Sequence, residues 1–231
     1  MSSPPSTVSN PWQQKKTESD AMNTDSEIWF AFARTFGMLF VVLAMLVFNI
    51  YPITTVLVIL LALLNDLPIM TIAYDNTWLD PKPVRWEMRR VLTLATVLGL
   101  IGVAETFLLL WIARDYLALT TAQMQSFIYL KLAVAGHLTL LVVRSRKPFW
   151  QKPYPAAPLL WAVLGTQAVA ALIVGLGIIV EAIPWSLVGL VWGYCLAWMF
   201  IEDFAKLQVY KHLEQKGGRQ LRFLGRMQKR I

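Results

Sequence analysis

The chain has 231 residues, of which 57% are hydrophobic and only 15% charged, and its mean hydropathy is positive. That leaves too little polar surface for a water-soluble domain of this length, and a single cysteine, Cys195, excludes an internal disulfide framework. The net charge of +7 would suit a nucleic-acid binder, but the cations cluster just outside the apolar blocks, where membrane topology puts them, so no nucleic-acid partner is expected.

Residues 1–27 are rich in Ser, Pro, Thr, Asn and Gln. They are expected to form a disordered polar leader, because such a stretch buries too little apolar area to offset its ordering entropy. It is not a secretory signal: Lys15 and Lys16 are followed by Thr-Glu-Ser-Asp rather than by an apolar run.

Six apolar blocks then follow, each near the roughly 20 residues that cross a bilayer. They run from Ile28 to Phe48, Ile53 to Ala73, Val91 to Ala113, Phe127 to Val143, Leu159 to Val180 and Trp185 to Ile201. Pro52, Pro158 and Pro184 stand where helices are expected to start, a place where the missing N–H costs nothing. Lys82, Arg85, Arg89 and Arg90 follow the second block, and Arg144, Arg146, Lys147 and Lys152 follow the fourth. Eight more cations lie from Lys206 to Arg230, whereas the alternate links hold only Arg114. Positive charge accumulates on the cytoplasmic side. The expected fold is therefore all-α: a polytopic bundle of six transmembrane helices over residues 28–205, both termini cytoplasmic, with a basic tail over 206–231. The expected setting is the lipid bilayer of an inner or plasma membrane.

Charged groups at bilayer depth are costly and therefore functional candidates. Asp66 lies about thirteen residues into the second block, roughly 20 Å deep at 1.5 Å per residue. Two residues later Pro68 cannot donate to the Leu64 carbonyl, and its ring is expected to unwind that turn. A carboxylate beside freed carbonyls is the combination that ion-transport sites use. The alternative is a neutral Asp66 that ties helices together by hydrogen bonds. Glu105 in the third block and Lys131 in the fourth can pair, as a structural ion pair or a proton relay. His137 is a packing residue or a proton carrier, and Arg34 in the first block needs snorkelling or an acidic partner. Glu181, Glu202 and Asp203 fall at block ends and read as solvated caps.

The segment Leu61-Ala62-Leu63-Leu64-Asn65-Asp66-Leu67-Pro68-Ile69-Met70-Thr71-Ile72-Ala73-Tyr74-Asp75-Asn76 resembles the sixth membrane helix of proton-pumping plasma-membrane P-type ATPases, in their bacterial and archaeal form. Pro83-Val84-Arg85-Trp86 and Val91 to Gly99 are similar to the next helix. Ala135-Gly136-His137-Leu138-Thr139 with Arg144 to Trp150 resembles the eighth, and Trp192-Gly193-Tyr194 with Asp203 to Lys206 the tenth. The likeness is collinear from about Phe40 to Tyr210.

The resemblance implies that these are the last six helices of a ten-helix pump, with Asp66 as its proton acceptor and donor and Asn65 as its neighbour. It also implies an arginine in the preceding helix. An ungapped count places that arginine near Phe36, two residues and so about 200° around the helix from Arg34. None of the seven aspartates is followed by the Lys-Thr-Gly-Thr of the family's phosphorylation loop. Hydrolysis of ATP by that chemistry is therefore not expected of this stretch alone, and no cofactor is expected on it. ATP and Mg would belong to domains supplied elsewhere, together with the first four helices, by a second chain. The remaining alternatives are a remnant of a pump, a passive proton or cation conductor, and a non-transporting membrane scaffold or regulator.

Overall fold

The computed structural model describes residues 35–72, 75, 88–145, 147–152 and 154–228. The leader over 1–27, Arg34, and the loop cations Lys82, Arg85 and Arg146 lie outside the described residues. Six helices and no strand occur among the described residues. They are α1 (Thr35–Phe48), α2 (Thr55–Thr71), α3 (Met88–Trp111), α4 (Thr121–Val143), α5 (Ala157–Leu176) and α6 (Trp185–Gln228). Among the described residues, four stretches are long and apolar enough to cross a membrane: Val91–Tyr116, Thr121–Val143, Ala157–Leu176 and Trp185–Leu213. The helices α1 and α2 are apolar but shorter.

Local chemistry sets the boundaries. Thr120 caps α4 through a reciprocal box in which its hydroxyl accepts from Gln123 N at 3.2 Å and the Gln123 side chain accepts from Thr120 N at 3.3 Å. The fourth helix thus begins six residues before the apolar run at Phe127. Thr54 caps α2, so Pro52 stands in the bend ahead of that helix rather than at its first turn. Pro158 occupies the first turn of α5, as expected, and Gly177 ends that helix in the left-handed conformation at φ 72°. Past Trp111, α3 widens into a π-helical turn over Ile112–Tyr116. The sixth helix does not stop at Ile201 but continues to Gln228.

The centre of the bundle is α4. In its most apolar window 67% of residues are buried, against 33% in the other three long spans, because α2, α3, α5 and α6 all pack on it. Phe127, Ile128, Tyr129, Leu130, Ala133 and Val134 are fully enclosed. The first helix joins by aromatic contacts: Phe40 meets Phe107 edge-on at 5.1 Å between ring centroids, and Phe48 lies 6.0 Å from the same ring. Gly99 lets α1 approach α3, since a Cβ there would fall 2.1 Å from the Phe36 ring. Phe36 is the position where the resemblance placed an arginine, and its side chain is spent on this crossing.

The outer surface is apolar. Leu46, Val47, Leu63, Met70, Trp161, Leu176 and Phe204 are all exposed, the surface a lipid-embedded bundle presents. In lipid, burial of apolar side chains gains only packing contacts, so helix association rests more on small residues and interhelical hydrogen bonds. The polar groups between the helices therefore decide how this bundle is fixed.

Candidate functional site

The helix α2 stays helical through Pro68 to Thr71, so the unwound turn expected there is absent. Proline removes one hydrogen bond, and the buried packing of Leu64 and Pro68 holds the turns on either side. The Leu64 carbonyl is still deprived of its usual donor. The ring of His137, from α4, stands beside that carbonyl, although its Nε2 makes no hydrogen bond of ordinary geometry.

On the other side of the ring, Nδ1 lies 3.0 Å from Gln167 Nε2 of α5, which also reaches the Ala133 and Val134 carbonyls at 3.4 and 3.3 Å. Asn65 Oδ1, 3.8 Å from where a Gly136 Cβ would sit, is buried without a hydrogen-bond partner. Proline on α2, histidine on α4 and glutamine on α5 thus meet at one level. Gln167 was not legible as a partner, because a polar residue in an apolar helix does not reveal which neighbour it faces.

Asp66, next to Asn65, points the other way. It is exposed, on the same outward face as Ile59, Leu63, Leu67 and Met70. The described helices do not enclose it. Arg34 lies outside the described residues, so its relation to Asp66 has no structural account here.

A second polar cluster lies across α4. Lys131 forms an ion pair with Glu105 of α3 and donates to the Thr106 hydroxyl, and both charged side chains are 2% exposed. From α6, the Tyr194 hydroxyl donates to the Glu105 carbonyl at 2.6 Å, and Glu202 accepts from the Thr139 hydroxyl of α4 at 2.8 Å. Glu202 and Asp203 are buried at 4% and 1% exposure and are not solvated caps. The helix runs on past them and α4 covers them. The apolar spacing that continues through Val209 was the available signal, outweighed by the acidic pair itself. Lys131 and His137 face different sides of α4, six residues apart.

A third cluster closes one end of the bundle. Lys206 Nζ donates to Asp203 at 2.6 Å and to the Val142 and Lys147 carbonyls at 2.8 and 2.9 Å. A cation there satisfies backbone carbonyls at the negative end of α4. Asp75 accepts from Ala156 N at the start of α5 at 2.8 Å and lies 3.3 Å from Arg144 Nε. Burial draws the Arg144 guanidinium below its ordinary value and the Asp75 carboxylate opposes this. No group of three or more metal-ligating side chains occurs among the described residues.

No protein-family model matches the sequence. The chain is 44% identical over 191 residues, 82% of its length, to a protein of Methanocaldococcus jannaschii that bears the name of a cation-transporting ATPase. It is 22% identical over 69% of its length to one of Leishmania donovani named as proton ATPase 1A, and 27% identical over 50% to the plasma membrane ATPase of Kluyveromyces lactis. The chain is a relative of the P-type cation-transporting ATPases. It spans 24% of the Methanocaldococcus protein and 20% of the Leishmania one. With its apolar helices, it is a membrane protein.

Proposed function

We propose that this chain is the ion-translocating membrane part of a proton-pumping P-type ATPase, with Asp66 as the carboxylate that takes up and releases the proton and Asn65 as its neighbour. The observation that carries the reading is the placement of Asp66. It is a carboxylate within an apolar helix, two residues from a proline, on a face that the described helices leave exposed. A charge held against lipid would cost several kcal/mol, so further helices covering that face would both shield the acid and complete its site. The matched stretch is 24% and 20% of the relatives' own length, compatible with such helices and with the nucleotide-hydrolysing domains coming from a second chain.

The same reading takes all six apolar helices as crossings of the plasma membrane with both termini cytoplasmic. Its support is that Asp75, Arg144, Lys147 and Lys206 meet at one end of the bundle, the end at which sequence places the cationic loops.

The test is co-expression with a chain that contains the phosphorylation loop. The two should co-purify, and reconstituted vesicles should show ATP-driven proton uptake that Asp66→Asn abolishes. Co-purification with undiminished uptake in Asp66→Asn would remove the role given to Asp66. Stable isolation with no such partner would remove the two-chain reading.

A further inference from the structure

The cluster formed by Glu105, Lys131 and Glu202 has a charge problem that the Asp66 site does not share. Two carboxylates, from α3 and α6, line one small cavity with Thr139, Cys195 and Trp198. Among the described residues the cation of the cluster is the ammonium of Lys131 on α4, already paired with one oxygen of Glu105. Glu105 Oε2 is buried and has no hydrogen-bond partner. Glu202 receives one hydrogen bond, from Thr139.

Among the described residues, the other titratable groups that face the cluster are Tyr194 and Cys195 of α6. Tyr194 donates to a carbonyl and Cys195 makes a long contact to the Lys131 carbonyl at 3.9 Å, so neither supplies positive charge. Asp203 and Lys206, farther along α6, compensate each other. Fully ionised, the cluster would carry a net charge of −1 in a medium where an uncompensated charge is costly. The cavity does not admit a water-sized sphere, which excludes a hydrated metal ion and leaves room for a proton.

We propose that Glu105, Lys131 and Glu202 form a second intramembrane proton-binding site, separate from Asp66, in which the proton resides on Glu202. A proton from the aqueous phase forms an O–H bond with a Glu202 carboxylate oxygen, its donor base stays in solution, and the cluster goes from −1 to neutral. No electrons are transferred. Because α4 stands between this cluster and Asn65, the two sites load independently unless α4 itself moves.

The test is infrared spectroscopy of the purified chain in lipid nanodiscs, with glutamate side-chain carboxyls labelled with 13C. At neutral pH, where exposed carboxyls are ionised, the unsubstituted chain should show a protonated-carboxyl band that shifts on labelling, which assigns it to glutamate and not to Asp66. The band should persist in Asp66→Asn and disappear in Glu202→Gln. Lys131→Met, which removes the ammonium paired with Glu105, should raise its amplitude about twofold as both glutamates take protons. Absence of a label-sensitive band in the unsubstituted chain would overturn the proposal, whatever the variants do. So would its survival at full amplitude in Glu202→Gln. Because the readout is a glutamate signal, it is independent of whether Asp66 carries the pump's proton.

Discussion

The two sides of α2 present the same helix in opposite conditions. The side toward α4 and α5 buries Leu64 and Pro68 and meets His137 and Gln167. The side with Leu63, Asp66, Leu67 and Met70 faces outward. The inner side and the interior of α4 hold polar groups that this chain largely compensates for itself. The outer side holds an exposed acid that the described helices do not enclose. The difference separates residues that build this bundle from the residue proposed to serve a larger assembly, and substitutions on the two sides should differ in kind.

The largest loss of stability should come from Lys131→Met. It leaves Glu105 without its cation, at a cost of about 3–5 kcal/mol when one partner of a buried pair is removed. Reversible unfolding in mixed micelles should report it, and Lys131→Met with Glu105→Gln together should recover most of it. If the single substitution is harmless, the interior of α4 is not held by its charges.

Lys206→Met should follow, at about 2–3 kcal/mol. It strands Asp203 and strips the Val142 carbonyl in the last turn of α4 and the Lys147 carbonyl beyond it of their donor. A smaller effect, about 1–2 kcal/mol, is expected of Arg144→Gln, because Asp75 keeps its bond from Ala156 N. Hydrogen exchange should accelerate at Ala156 and the first turn of α5 before it does elsewhere.

Asp66→Asn should leave the thermal midpoint of the isolated chain where it was, since Asp66 is exposed there. A destabilised isolated Asp66→Asn chain would show that Asp66 is part of this bundle's own packing, and the contrast between the two sides of α2 would fail.

Much of the bundle was legible in the sequence. The helix positions followed from apolar blocks, and Thr120 with Gln123 announced a helix start that the apolar run placed six residues too late. The end of α6 was missed because Glu202 and Asp203 read as a boundary, whereas α4 and Lys206 supply partners that let both acids be buried within a continuous helix. Pro68 was read as opening its turn. Packing kept the turn closed, and the missing bond remains only as a carbonyl facing His137.

By itself, the sequence determined that this chain belongs in a membrane, where its helices lie, and that Asp66 is an unusual acid in an apolar segment. Composition and spacing are local quantities, and bilayer thickness acts on them directly. Tertiary structure decided which polar groups meet: Glu105 with Lys131 and Glu202 across three helices, His137 with Gln167 and the Leu64 carbonyl, and Asp66 with the outside. A residue's position along a helix gives its depth, but its neighbours depend on how each helix is rotated, and rotation is set only when all the helices pack together.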